Sequence, residues 1–310
     1  MSSVRVNGTE LYYERHGQGE PLLLITGFTI SAAIFEPVLG LYTPRFECIV
    51  YDNRGAGRSG VPLWPTSMPE LAADAAGLLD ALGLDSAHVY GVSMGGMVAQ
   101  ELAIRFPERV RGLVLAGTTP GGPRALRPNA RELAALARGR SPAGLLFSPQ
   151  FRRADPERVR MLMRGFGRHR ATARGAWWQW WATVYHDTLS RLPSIAAPTL
   201  VLHGEQDAMC PLGNARLLAE RIPDAELVVI PGAGHAFALE RPRASAAALT
   251  DWLDRRGPIP AGRPRAGLGA RTEPLTRALG LPIGALRTGA SLAGLAADRV
   301  RGGGHVAADR

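Results

Sequence analysis

The sequence predicts an α/β protein: a mostly parallel, doubly wound sheet with a helical cap inserted after about strand 6. Three observations carry this. Short continuous apolar runs recur along the chain and end at glycine or polar turn residues, as strands covered on both faces do. Helix-patterned segments alternate with them, and that alternation calls for parallel strands joined by crossovers. Between residues 120 and 192 the rhythm stops; no obvious strand occurs there, and Arg, Ala, Gly and Trp dominate.

The elements follow in order. Leu11–Arg15 alternates and reads as a strand. Pro21-Leu22-Leu23-Leu24-Ile25-Thr26 is a buried strand ending at Gly27, and Glu47–Asp52 is another, leading into Asn53-Arg54-Gly55. Ser67-Met68-Pro69-Glu70 has capping-box spacing with proline in the first turn, so a helix starts there, runs to about Leu82 and stops at Gly83. His88–Gly91 is a strand that meets Ser93. Met94–Phe106 is a helix stopped by Pro107. Val110–Ala116, Thr199–Gly204 and Glu226–Ile230 are the remaining strands; Asn214–Arg221 and Arg243–Leu253 are late helices. Residues 1–119 and 193–256 thus form the core and 120–192 the cap. Residues 257–310 form a basic Gly/Pro/Arg-rich tail that opens on the linker-like Gly257-Pro258-Ile259-Pro260.

At 310 residues and 46% apolar composition, the chain can bury a substantial core. It contains no lysine, which excludes a lysine nucleophile, a lysine-bound pyridoxal group and a P-loop. The net charge of +9 is unevenly spread. Residues 123–192 hold 14 Arg against four acids and residues 255–310 hold ten against three, so the rest of the chain is acidic. No nucleic-acid reader motif accompanies either basic segment, so no nucleic-acid partner is expected. A solvated arginine surface pairing with the acidic core is the plainer reading of the cap; attraction of anionic substrates is the other. In the tail, Leu275, Leu279, Ile283 and Leu286 recur at helical steps, but Gly280, Pro282 and Gly284 interrupt them. That suggests a weakly ordered appendage, with peripheral docking on an anionic membrane surface or a partner as the alternative.

No apolar run is long enough to span a bilayer and no signal-peptide pattern opens the chain, so a cytoplasmic protein without integral membrane contact is expected. Cys48 and Cys210 are too far apart for a metal spacing, and no disulfide is expected. Gly55-Ala56-Gly57 does not open a helix, so it is no dinucleotide fingerprint. No metal or other cofactor is expected. A monomer or dimer is anticipated.

The chemistry concentrates in Gly91-Val92-Ser93-Met94-Gly95-Gly96. It fits G-x-S-x-G between an apolar strand and a helix, the context that lifts a serine oxygen above the sheet edge. Gly91 and Gly95 permit the sharp turn. Ser93 as nucleophile needs a base, and the base needs an orienting acid. Of the seven histidines, His235 alone lies in a loop directly after the last strand, in Gly232-Ala233-Gly234-His235. Asp207 follows the preceding strand in Glu205-Gln206-Asp207, with Glu205 the nearby rival at the strand's end. The oxyanion needs two convergent N–H donors. Met94 supplies one, and Phe28, in the turn Thr26-Gly27-Phe28-Thr29, is the expected second.

These motifs, together with Tyr51-Asp52-Asn53-Arg54-Gly55-Ala56-Gly57-Arg58-Ser59, resemble the α/β-hydrolases of the esterase, 3-oxoadipate enol-lactonase and cofactor-free haloperoxidase group. The resemblance covers about residues 4–254, with Thr26-Gly27 standing where similar chains often carry His-Gly. It implies a serine hydrolase that cleaves a small-molecule carboxylic ester or lactone through an acyl-enzyme on Ser93. The same triad also serves perhydrolysis and C–C bond hydrolysis. A ligand-binding protein on this scaffold is the non-enzyme alternative. Trp177-Trp178-Gln179-Trp180-Trp181 places four of six tryptophans in five residues, and Trp177, Trp178 and Trp181 are candidates for an apolar substrate wall.

Overall fold

The protein is described by a computed structural model that covers residues 2–131, 134, 138 and 141–260. Its strands are β1 (Ser2–Val6), β2 (Thr9–His16), β3 (Glu20–Ile25), β4 (Phe46–Tyr51), β5 (Ala87–Val92), β6 (Val110–Ala116), β7 (Thr199–Gly204) and β8 (Ala225–Ile230). They form one eight-stranded sheet in the order β1-β2-β4-β3-β5-β6-β7-β8. Pairings among β3 to β8 are all parallel, whereas β1 pairs with β2, and β2 with β4, antiparallel. The helices are α1 (Glu36–Leu39), α2 (Met68–Ala81), α3 (Met94–Arg105), α4 (Ala143–Leu146), α5 (Pro149–Ala154), α6 (Pro156–Phe166), α7 (Ala173–Val184), α8 (Gly213–Arg221), α9 (Phe237–Glu240) and α10 (Pro242–Arg256).

The apolar runs behave as their pattern requires. Alternate residues of β3 enter opposite cores: Leu23 and Ile25 pack with Leu71 and Leu78 of α2, whereas Leu22 and Leu24 share a core with Leu249 and Trp252 of α10. α2 opens on the expected capping box. Ser67 Oγ accepts from Glu70 N–H at 3.4 Å, and Glu70 Oε2 accepts from Ser67 N–H at 2.8 Å.

One strand lies outside the apolar runs of the sequence. β1 is short and mostly exposed, so no apolar run announces it. The hairpin to β2 turns at Asn7 (φ 46°) and Gly8 (φ 77°), and Asn-Gly with positive φ at both residues is the strongest two-residue hairpin signal. That signal is present in the sequence.

Among the described residues, four α-helices, α4 to α7, lie between β6 and β7. The insertion's two ends meet at a narrow neck, where Gly121 bridges Asp187 and Thr188 N–H donates to Pro120 O at 2.9 Å. At Gly121 (φ 70°) a side chain has no room, because a Cβ would lie 2.0 Å from the His186 carbonyl oxygen. His186 is itself buried in this neck, and neither ring nitrogen has a hydrogen-bond partner among the described residues. The apolar stripe of the tail and its anticipated docking lie outside the described residues, which end at 260. No helix among the described residues is long and apolar enough to cross a membrane.

Burial pushes the pKa of both His88 and His186 down from 6.5 to about 4. The unfolded chain then binds protons that the fold refuses. Stability is full above pH 6.5 and is lost as pH falls from there towards 4, by up to about 1.4 kcal/mol per pH unit for each imidazole. Urea midpoints at pH 7 and pH 5 read this loss. The expected result is a smaller drop for His186→Leu than for wild type; equal drops would remove His186 from the account.

Candidate active site

Ser93 stands between β5 and α3 with φ 56° and ψ −118°. A non-glycine residue at positive φ is strained, at about 1–3 kcal/mol, and persists only when its surroundings permit nothing else. Here two close backbone approaches impose it. A Cβ on Gly91 would lie 2.3 Å from the Gly95 carbonyl oxygen, and one on Gly95 would lie 2.2 Å from the Ile25 carbonyl oxygen. Ser93 N–H donates to Ala116 O at 2.9 Å, and Ser93 O accepts from Thr118 Oγ1 at 2.7 Å. Met94 begins α3, whose first N–H groups lack intrahelical acceptors and whose dipole presents positive charge at this end.

His235 lies in the loop after β8. Its Nδ1–H donates to Asp207 Oδ2 at 2.8 Å. Asp207 Oδ1 accepts from the backbone N–H groups of Met209 (2.8 Å) and Cys210 (2.7 Å), so the carboxylate is oriented from below by its own loop. The His235 ring also lies against Gly117: a Cβ there would sit 3.4 Å from Nδ1. Gly117 follows Ala116, the acceptor of Ser93 N–H. Ser93 and the His235–Asp207 pair therefore border one short stretch at the end of β6, residues 116–118.

Three residues that pattern reading did not single out for this site support it. His203, on β7 and fully buried, places Nε2 2.6 Å from Cys210 O and 3.3 Å from Asp207 Oδ2. Burial holds its pKa below the ordinary value, so it is a neutral donor underneath the carboxylate. Glu240, also buried, accepts from Gly234 N–H at 2.9 Å and from Ser148 N–H at 2.8 Å, tying the histidine loop to the insertion. Gln179 of α7 accepts from Thr29 N–H at 2.7 Å and donates to Arg54 O at 2.9 Å. None of the three belongs to a motif; each is recognisable only once strands distant in sequence are neighbours. Glu205, the rival acid, accepts from Gly232 N–H at 2.8 Å and so braces the loop that carries His235.

The turn after β3 runs beside Ser93. A Cβ on Gly27 would lie 3.4 Å from Ser93 Cβ and 3.9 Å from Ser93 Oγ. Ile30 N–H closes the turn onto Gly27 O at 3.3 Å, with Phe28 inside it. Thr26 is held from the other side, where Asn53 Nδ2 donates to its carbonyl (3.2 Å) and hydroxyl (3.1 Å). The Asp52 carboxylate accepts from Ala32 N–H (2.6 Å) and from Arg58 N–H (2.8 Å), so the loop after β4 fastens both ends of this region.

In the tryptophan run, Trp177 and Trp180 stack at 5.1 Å between centroids, and Trp181 packs on Tyr185 at 4.8 Å. Trp177, Trp178 and Trp181 are half-buried, while the fully buried stripe of α7 is Gly175, Gln179 and Ala182. Cys48 and Cys210 are free and buried, and burial pushes the Cys48 thiol up to about 12 and Cys210 well above its ordinary value. Neither is a nucleophile at neutral pH. Among the described residues no cluster of His, Cys, Asp and Glu has the makings of a metal site.

Comparison with known proteins agrees with this architecture. The poly(3-hydroxyalkanoate) depolymerase of Ectopseudomonas oleovorans is 35% identical over 244 residues, which cover 76% of this chain and 84% of that protein. The 3-oxoadipate enol-lactonase 2 of Acinetobacter baylyi is 30% identical over 241 residues, covering 76% and 89%. The solved structure of a thermophilic esterase from Thermogutta terrifontis superposes with a TM-score of 0.70 at 29% identity, over 82% of this chain and 99% of that one. A family model described as the alpha/beta hydrolase fold matches residues 20–242, and the chain belongs to that family.

Proposed function

We propose that this hydrolase cleaves a carboxylic ester or lactone through an acyl-enzyme on Ser93, with His235 as base and Asp207 as its orienting acid. The observation that carries the reading is the hydrogen bond from His235 Nδ1–H to Asp207 Oδ2, beside a serine held at positive φ. A proton fixed on Nδ1 leaves Nε2 as the free lone pair, the form a general base requires.

In this mechanism Nε2 takes the Ser93 proton while Oγ attacks the carbonyl carbon. The tetrahedral oxyanion is held by the N–H groups of Met94 and Phe28, an effect worth roughly 3–4 kcal/mol per donor in related chemistry. The imidazolium, stabilised by Asp207, then protonates the leaving alkoxide as the C–O bond breaks. Water repeats the sequence on the acyl-enzyme, releasing the acid and restoring Ser93. The insertion 120–192 serves as the cap over this edge. The names of the relatives, an enol-lactonase, a polyester depolymerase and an esterase, support acyl–oxygen cleavage as the reaction class.

A fluorophosphonate probe should label the wild type and not Ser93→Ala; persistent labelling of the variant would overturn the nucleophile assignment. A panel of p-nitrophenyl esters and lactones, varied in chain length and charge, then reads the substrate preference. Asp207→Asn should lower kcat by about 10⁴-fold, by analogy with the loss of the orienting carboxylate in other triads. Retention of more than a tenth of wild-type kcat would show that Asp207 is not the orienting acid.

A further inference from the structure

The tryptophan-rich helix α7 touches the core with a glutamine. Its buried stripe is Gly175, Gln179 and Ala182, one residue per turn on a single face. Gly175 sets the depth. A Cβ there would lie 1.9 Å from the Gly55 carbonyl oxygen, so the helix backbone rests directly on the loop after β4. That contact delivers Gln179, whose side chain is fully buried, between two backbone groups of the core. Its Oε1 accepts from Thr29 N–H at 2.7 Å, and its Nε2 donates to Arg54 O at 2.9 Å.

Thr29 is an unusual residue to find there. Its φ is 60°, a region that β-branched residues avoid. A backbone held in such a conformation needs partners that specify it. Two are visible: Thr29 Oγ1 donates to Phe28 O at 2.7 Å, and Thr29 N–H is taken by Gln179. The peptide unit whose N–H meets Gln179 is the one that joins Phe28 to Thr29. It is one unit removed from the Phe28 N–H, and the turn lies alongside Ser93.

We propose that Gln179 is a positioning residue: from the inserted helix it fixes the oxyanion turn, so that the helical insertion and the transition-state donor at Phe28 are set by one side chain. The proposal rests on the acyl-enzyme reading of Ser93. Gln179 does not touch the reacting atoms. It acts by occupying the Thr29 N–H and anchoring to Arg54, which leaves the Phe28 N–H aimed at the oxyanion position. Loss of this brace weakens binding of the tetrahedral state more than binding of the ester, so it lowers kcat and spares KM.

The test uses the full chain with a p-nitrophenyl ester as substrate and phenylboronic acid as a tetrahedral analogue. Gln179→Met keeps the length of the side chain and removes both hydrogen bonds. It is expected to lower kcat by about 10–100-fold, short of the larger loss expected from removing a donor outright, with KM changed by less than about threefold. Boronate affinity should fall by a factor similar to that in kcat. Unchanged kcat, or a raised KM with unchanged kcat, overturns the proposal, since either result makes Gln179 a packing or pocket residue. Where circular dichroism finds the Met variant unfolded, Gln179→Asn decides by the same readings; it keeps the amide but is one methylene too short to reach both partners. Ser93→Ala separates the two levels of inference. If that variant still labels with fluorophosphonate, the nucleophile assignment fails, whereas normal Ser93 labelling with unchanged kcat in the Gln179 variant breaks only the present proposal.

Discussion

The backbone crossing at Ser93 is the constraint from which the rest of the site follows. β5 must turn into α3 within a space bounded by the Ile25 carbonyl oxygen on one side and the start of the helix on the other. Only glycine fits at 91 and 95, and Ser93 is left at a φ that an L-residue adopts at a cost. The cost is met by the buried parallel strands around it. β3 and β6 flank β5, and their ladders do not yield to relieve one residue. Once the elbow is placed, the loops after β3, β6, β7 and β8 must converge on it, because parallel strands end on the same edge. The turn at Gly27, the stretch 116–118, Asp207 and His235 are those loops.

Much of this was legible because it depends on short-range pattern. The buried strands read as apolar runs, the capping box at Ser67 and Glu70 has a spacing set by one helical turn, and G-x-S-x-G names its own geometry. The positions of Asp207 and His235 follow from strand order. What stayed hidden is of two kinds. β1 carried a hairpin signal in Asn7-Gly8, but its strand is exposed and short, so hydrophobic periodicity passed over it. His203, Glu240 and Gln179 carried no local signal at all. Their roles arise when a buried polar side chain meets a backbone group far away in sequence, 150 residues distant for Gln179 and Thr29. The tryptophans drew notice to the right five residues, while the position that reaches the core is the one polar residue among them.

Satisfying buried polar groups explains that choice. The turn after β3 and the loop after β4 leave the Thr29 N–H and the Arg54 carbonyl facing the inserted helix. An apolar residue at 179 would bury both without partners, at about 1–3 kcal/mol for each. A carboxamide supplies one acceptor and one donor, and it is uncharged, so it fills the gap without the desolvation penalty of an ion. Asn53 Nδ2 likewise serves the Thr26 carbonyl and hydroxyl, and Glu240 meets the Gly234 and Ser148 N–H groups with a carboxyl oxygen. The carboxyl edge is thus held by buried polar contacts, whereas the body of the sheet is held by aliphatic packing.

The uneven charge takes on a physical meaning at the neck of the insertion. Gln100 and Glu101 are consecutive on α3, the helix that begins directly after Ser93. Gln100 donates to Thr119 O at 3.1 Å at one end of the insertion and accepts from Thr188 Oγ1 at the other. Glu101, almost fully buried, is clasped by Arg105 of its own helix and by Arg191; burial alone would raise its pKa, but these two guanidinium groups hold it below the usual carboxylate range. An ion pair buried on the carboxylate side and satisfied by two arginines resists removal of either partner far more than an exposed pair such as Arg168 with Glu36. Of the basic segment, Arg168 and Arg191 are thus engaged by carboxylates of the core. The consequence is mechanical: one rigid helix carries Ser93 at its start and grips both roots of the insertion seven and eight residues later. A shift of the insertion's roots relative to the elbow would have to break the Glu101–Arg191 pair and the Gln100 contacts to Thr119 and Thr188.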